Sequence, residues 1–466
     1  MKLDLHQIAQ WCGAELHPHA DENLAATGYS IDSRTIQPGD LFFAVRGDRF
    51  DGHDFAANAF ANGAIAAVVA RHKIAALPSD LRRKPLLAVD DPLAALQQLA
   101  TAVRKHWGKR VVAITGSAGK TTTKEAIAAV LSAQFRVLKS QGNLNNGFGL
   151  PLQLLKLQPE HQIAVIEMGM SAAGEIAALA RIAAPEWGVV TNVGNAHAEF
   201  FHDGIAGVAR AKYELIQSLP AHGDAFLNCD DAYVSQFGRD FTGRVIYFGR
   251  GPCADPKVEF TESLGTDGLR VEVRSGESRI SFHLQLLGEH NVSNALAAIA
   301  VGVASGIPLE TCCAALSELQ PDEKRGKVLT IRGAKVINDS YNSNPEALKA
   351  MIGTLAAIPV ELPGRRILIA GEMLELGPES ESLHAASGEK AAEAGIDIVI
   401  GVRGYARSIV DKADENGVQS HFYETPEEAG KWLRQNLRPE DVVLLKASRG
   451  VRLERALDVL TAEDHS

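Results

Sequence analysis

Apolar and polar positions follow different periods in different parts of the chain. Over residues 1–105, strand-like runs such as LFFAVRG (41–47) mix with Ala-rich helical ones. One of these is FAANAFANGA (55–64), which the apolar run IAAVVA follows. A helical stretch, DPLAALQQLATAVRKHW (91–107), closes this part and runs straight into Gly108. From KRVVAIT onward the texture changes. Strand-like runs recur at 164–167, 188–191, 225–228 and 245–248, with helical stretches between most of them. That alternation predicts a mostly parallel sheet covered by helices.

Residues 257–287 alternate polar and apolar positions with Gly breaks, which predicts antiparallel hairpins appended to the central part. Helices are expected from there to Leu319. PDEKRGK (321–327) is a polar, turn-rich linker, and beyond it RRILIAG, DIVIGV and DVVLLKAS read as strands separated by helices. The expected fold class is α/β in three domains, 1–105, 106–320 and 321–466. The middle one carries a parallel sheet with an added antiparallel portion, and the last is a smaller, Rossmann-like α/β unit.

Composition narrows the function. Hydrophobic residues make up 46% of the 466 and charged residues 22%, as in a globular protein with room for real cores. A formal charge of -10 leaves no basic surplus to neutralise phosphates, so a general nucleic-acid binder is not expected. No run approaches the roughly 20 apolar residues that span a bilayer. A cytoplasmic protein without membrane insertion is expected. The five cysteines show no CxxC spacing, and reduced thiols are expected.

The sharpest chemical signal is VVAITGSAGKTTTKEAIAAVL (111–131). A β-branched strand enters a small-residue loop, Gly116, Ser117, Ala118 and Gly119, and a helix opens near Thr121. The glycines let backbone amides approach phosphate oxygens, and the helix N-terminus adds aligned N–H groups. Lys120 is placed for the β- and γ-phosphates, and Thr121 or Thr122 for Mg²⁺. The loop lacks the first Gly of the usual GxxxxGK[ST], which points to a particular branch of P-loop proteins. Glu167 ends another apolar strand, at the edge where sheet ligands gather. His197 follows a third strand in TNVGNAHAEFF, and Lys212 lies in ARAKYELI. Each alone reads equally well as a solvated surface residue; together, downstream of a P-loop, they point to a phosphoryl-transfer site.

In ordered series, these motifs resemble the Mur ligase family, the ATP-dependent amide-bond ligases of peptidoglycan precursor synthesis. TGSAGKTTTK, IEMG, TNVGNAHAE and AKYEL resemble the family's central-domain motifs. GEHNVSNALAA (288–298), DSYNSNP (339–345) and KASRGVRLE (446–454) resemble the later ones. YSIDSRTIQPGDLFFAVRG with DGHDF resembles the uridine-diphosphate-binding domain, so 1–105 is expected to bind the UDP-muropeptide. QGNLNNGFGLPLQLL, DSYNSNPEALKA and AGEMLELG resemble the member that adds a D-Ala-D-Ala dipeptide. The member adding the third amino acid carries DHAHTP-like and DNPR motifs, and neither is present. A non-catalytic nucleotide-binding scaffold is the rival from another class.

The resemblance implies ATP and Mg²⁺ as cofactors, with UDP-MurNAc-tripeptide and D-Ala-D-Ala as substrates of a monomeric enzyme. It implies catalytic roles for Lys120, His197, Lys212 and Arg325, and metal ligation by Thr121, Glu167, His197 and Lys212. An ammonium would repel Mg²⁺, and the resemblance of AKYEL to the family motif implies a carbamate at Lys212. Asn294 is expected at adenine, Asp339 at the ribose, Tyr341 and Asn342 near the nucleotide. Asp32, Ser33 and Arg34 are candidates for uridine or diphosphate, and Asn143, Asn145 and Asn146 for the sugar-peptide portion. Lys446, Ser448 and Arg449 are expected to line the cleft from the third domain. Glu372 and Glu375 either order the site or face solvent.

Overall fold

The computed structural model describes residues 1–17, 21, 23–195 and 198–462. Three α/β units follow one another along the chain. The first holds a five-stranded sheet ordered Glu15–Leu16, Leu86–Val89, Ala66–Ala70, Asp40–Phe43, Gly28–Ser30, antiparallel only at its first pair. The predicted helix over 55–64 is shorter: a 3₁₀ turn, Gly52–Phe55, leads into the α-helix Ala56–Ala61. The chain then turns at Gly63, whose φ of 105° is outside the helical region.

The central sheet is six-stranded and wholly parallel, ordered Arg244–Phe248, Asp224–Asn228, Trp187–Val190, Arg110–Thr115, Ile163–Glu167, Val137–Lys139. Its first strand in sequence, Arg110–Thr115, sits inside the sheet. The chain leaves it first toward one edge and then toward the other. Strand order therefore reverses beside Arg110–Thr115, and the carboxyl ends of it and its two neighbours open one crevice. The P-loop, Glu167 and TNVG all follow those three ends. The predicted hairpins form a separate antiparallel sheet of Lys257–Ser263, Leu269–Ser275 and Ser278–Leu284.

In the third unit the sheet order is Lys327–Ile331, Ala334–Asp339, Val442–Lys446, Arg366–Gly371, Ile398–Val402, Gln419–Tyr423, with only the first pair antiparallel. Besides the strands Lys327–Ile331 and Ala334–Asp339, sequence patterning missed two edge strands, Val137–Lys139 and Gln419–Tyr423. Neither has a fully buried residue, so neither carries an apolar run.

The helix Pro92–Trp107 explains how the first two units meet. Asp91 caps it by accepting from Leu93 N, proline takes its first turn, and Gly108 ends it in the left-handed conformation. Its buried face, including Leu96, Leu99, Val103 and Trp107, belongs to one apolar core with Leu5 and Ile8 before it and Leu150 and Ile176 after it. The expected boundary at 105 thus falls in the last turn of a helix that both units share. Arg104, also buried, donates to Ala183 O at 2.8 Å, Ala184 O at 2.9 Å and Glu186 Oε1 at 2.7 Å.

Cysteine pairing corrects the expectation of free thiols. Cys229 and Cys253 form a disulfide. They are 24 residues apart, but Cys229 follows the strand Asp224–Asn228 and Cys253 lies in the turn after its parallel neighbour Arg244–Phe248. Strand pairing brings them together, which spacing cannot reveal. Cys12, Cys312 and Cys313 are free and buried.

Candidate active site

The P-loop is built against the end of the neighbouring strand. A Cβ at Gly116 would fall 1.9 Å from Thr191 Oγ1, and one at Gly119 would fall 2.5 Å from Asn294 Oδ1. Gly119 also has φ of 79°, in the left-handed region. Ser117 N donates to Asn192 O at 3.0 Å, and Ala118 N to Asn192 Oδ1 at 2.8 Å. Those two amides are therefore committed to the scaffold. The helix Lys120–Ser132 has no side-chain cap, so its first-turn N–H groups and positive dipole end are left for an anion. Lys120 Nζ donates to Gly116 O at 2.7 Å. Burial lowers its pKa; Glu167 opposes that shift and Arg325 reinforces it.

Glu167 is buried, and each of its carboxylate oxygens accepts one hydrogen bond. Thr121 Oγ1 donates to Oε2 at 2.9 Å, and Asn145 Nδ2 to Oε1 at 2.8 Å. Lys212, on the helix Ile205–Gln217, is also buried. Burial first, and the charge of Lys120 second, hold its pKa well below 10.5. His197 lies outside the described residues. Among the described residues no three His, Cys, Asp or Glu side chains gather as a metal cluster. A hydroxyl beside a single carboxylate, next to a phosphate-binding loop, is nonetheless a donor set that fits Mg²⁺, which keeps several waters and phosphate oxygens of its own.

The linker and third unit complete the cleft. Arg325 donates to Thr121 Oγ1 at 3.1 Å and stacks its guanidinium 4.0 Å from the centroid of the Tyr341 ring. Arg449 approaches the same ring at 5.7 Å and donates to Glu454 Oε1 at 2.7 Å. Lys324 donates to that same oxygen at 2.9 Å. Lys446 Nζ donates to Asp339 Oδ2 at 2.6 Å and to Asn342 O at 3.0 Å. Asn294 accepts from Thr123 Oγ1 at 3.0 Å and donates to Asn291 Oδ1 at 2.8 Å. Its amide keeps one N–H and one lone pair for a ligand.

These groups surround one cleft of about 640 Å³. Ser117 through Thr122, Asn143, Asn145, Asn146, Glu167 and Lys212 line it from the central unit, with Asn294. Arg325, Asp339, Tyr341, Asn342, Lys446 and Arg449 line it from the other side. Gly116 and Ser448 are not on its wall. Ser448 instead accepts from Leu374 N at 2.9 Å and donates to Ser343 O at 3.3 Å, tying two loops beneath the cleft. Asp32, Ser33 and Arg34 do not line it either. Arg34 forks onto Asp32 at 2.9 and 2.7 Å, and Ser33 Oγ accepts from Asn58 at 3.1 Å. Glu372 accepts from Tyr405 N within the third unit.

Two contributors escaped the sequence reading. Glu346 accepts from Asn195 Nδ2 at 3.0 Å, linking the third unit to the central one, and Glu454 holds both Lys324 and Arg449. Only the place of Glu454 inside KASRGVRLE hinted at it.

A P-loop crevice closed by a linker arginine and a third-unit lysine is a nucleotide-dependent phosphoryl-transfer site, and the chain's relatives make it an ATP-dependent ligase. Family models match nearly the whole chain: the Mur ligase catalytic domain at residues 26–104, the Mur ligase middle domain at 114–302 and the glutamate ligase domain at 324–449. The chain belongs to the Mur ligase family. It is 35% identical to the UDP-N-acetylmuramoyl-tripeptide–D-alanyl-D-alanine ligase of Bacillus subtilis, over 97% of each chain. It also superposes on a crystal structure of MurF from Acinetobacter baumannii with a TM-score of 0.88, at 30% identity over 99% of each chain. A MurF ligase from Thermotoga maritima, solved in complex with ADP, gives 0.80 at 30% identity, covering 93% of this chain and 96% of that one.

Proposed function

We propose that this enzyme joins D-Ala-D-Ala to UDP-MurNAc-tripeptide at the expense of ATP, forming the UDP-MurNAc-pentapeptide precursor of peptidoglycan. The observation that carries this reading is similarity to UDP-N-acetylmuramoyl-tripeptide–D-alanyl-D-alanine ligases along essentially the full length of both chains. The cleft supports it, since it gathers the cationic groups of a phosphoryl-transfer site beside an asparagine loop suited to a polar peptide.

In this reading the tripeptide's terminal carboxylate attacks the γ-phosphorus of ATP and ADP leaves. The amine of D-Ala-D-Ala then attacks the acyl phosphate carbon, and phosphate departs from a tetrahedral intermediate. Lys120 and Arg325 offset charge on the transferring phosphoryl group, and the uncapped helix N-terminus holds its neighbours. Thr121 and Glu167 would hold Mg²⁺, which supplies further charge compensation. Asn294 and Asp339 are assigned to the nucleoside, with Tyr341 and Asn342 close by. Lys446 and Arg449 line the cleft from the third unit. Asp32, Ser33 and Arg34 sit in the unit assigned to the uridine diphosphate.

Lys212 enters as a carbamate. Only a neutral amine adds CO₂, and the lowered pKa of this buried lysine favours that form. Short-chain carboxylic acids should restore activity to Lys212→Ala by replacing the missing oxygens; no rescue at any concentration would count against the carbamate.

The reaction itself is tested by ATP-dependent phosphate release with UDP-MurNAc-tripeptide, with and without D-Ala-D-Ala, followed by product mass. Release that needs the dipeptide, with a product heavier by one dipeptide unit, is expected. Turnover only with a single amino acid and the shorter precursor would move the assignment one step upstream.

A further inference from the structure

The three asparagines of the 143–146 loop resemble one another in sequence but differ in their contacts. Asn146 Oδ1 accepts from Phe148 N at 3.2 Å and Gly149 N at 2.9 Å, so its side chain organises the turn into the helix Gly149–Leu154. Asn145 turns the other way, and its Nδ2 donates to Glu167 Oε1 at 2.8 Å. No side-chain hydrogen bond ties Asn143 down among the described residues.

Resting on the ligase reading above, we propose that Asn145 is a positioning residue for the metal-binding carboxylate, coupling the muropeptide loop to the metal. A carboxylate that binds a metal through one oxygen is free to rotate unless its other oxygen is held. A neutral amide donor holds it without competing for the metal. Glu167 has that arrangement: Oε1 receives the amide of Asn145, and Oε2 faces the hydroxyl of Thr121, the other oxygen donor. The amide is itself well placed. Gly169 N donates to Asn145 O at 2.9 Å, and Asn145 N donates to Asn143 O at 2.9 Å. A Cβ at Gly169 would come within 2.9 Å of Asn145 Oδ1, so glycine there leaves room for the side chain. A ligand that draws on Asn143 or moves this loop therefore moves the donor on Glu167.

The contact of Asn145 O with Gly169 uses the backbone, so it survives in Asn145→Ala and the loop keeps its anchor. Mn²⁺ serves as the metal probe, counted by electron paramagnetic resonance on the full chain with ADP. Asn145→Ala is expected to weaken Mn²⁺ by about tenfold or more, with metal-free ADP affinity within about twofold of the parent. Asn143→Ala is expected to raise the KM for UDP-MurNAc-tripeptide while leaving Mn²⁺ affinity unchanged. Adding UDP-MurNAc-tripeptide should tighten Mn²⁺ in the parent and not in Asn145→Ala.

Unchanged Mn²⁺ affinity in Asn145→Ala, with only the muropeptide KM raised, overturns the proposal and makes Asn145 a simple substrate contact. Absence of any Mn²⁺·ADP binding by the parent chain overturns the nucleotide reading of the cleft itself, so the two failures are told apart.

Discussion

The guanidinium of Arg325 donates to the hydroxyl of Thr121 across 3.1 Å, joining the linker to the first turn of the P-loop helix. It is held in that direction by Tyr341, on which it stacks, and its neighbour Lys324 is held by Glu454. A residue outside the P-loop domain thus reaches the first turn of the P-loop helix.

Arg325→Ala is expected to lower kcat by about 10²-fold or more, the cost of removing one charge-stabilising donor at a transferring group. Steady-state phosphate release checks this, and a kcat within threefold of the parent would remove Arg325 from the phosphoryl step.

Gly119→Ala should damage nucleotide binding more than folding. The left-handed backbone there costs a side chain about 1–2 kcal/mol, and the new Cβ would overlap Asn294 Oδ1. The loop must shift, and ADP affinity measured by calorimetry is expected to fall about tenfold. An unaltered affinity would show that the loop adapts without loss.

Lys212→Met should abolish ligation yet stabilise the fold. Lys212 has a folded-state pKa below its unfolded value of 10.5. Between those two values the unfolded chain binds more protons, so this lysine costs stability that is relieved as pH rises. The variant's advantage is therefore largest at low pH and narrows toward pH 10.5. Urea unfolding at pH 6 and pH 9 in CO₂-free buffer reads the difference, and an equal gap at both would contradict the assigned direction.

Arg104→Ala tests the shared core of the first two units. It removes the Arg104 donor from Glu186 Oε1 and from two carbonyls, while Val111 N still donates to Glu186 Oε2 at 2.8 Å. Glu186 is partly exposed, so a loss of about 2–3 kcal/mol is expected, below the 3–5 of a fully buried pair. Chemical denaturation measures it, and a loss under 0.5 kcal/mol, an ordinary surface effect, would show that this ion pair is not structural.

Much of the cleft's lining is legible in the sequence. The strand–loop–helix of 111–131 carried its own chemistry, because phosphate binding depends on backbone amides and a helix end that local sequence creates. Glu167 could be placed at a strand's carboxyl edge from periodicity alone. The Asn143–Asn146 loop was less readable: three identical side chains read as one substrate surface, whereas hydrogen-bond geometry gives one to a turn and one to Glu167. The disulfide was illegible, since it depends on which strands are neighbours.

The alternation of strands and helices, the phosphate loop, and the helix Pro92–Trp107 with its proline start and glycine stop were all encoded locally. Their causes act within a turn or two of chain: side-chain period, capping and left-handed glycine. Packing alone decided which distant groups share the cleft, which asparagine meets Glu167, and that one helix serves two cores. Those outcomes depend on sheet order and on side chains brought together from as far apart as residues 121 and 325. Such contacts form only once the strands are ordered and the cores close.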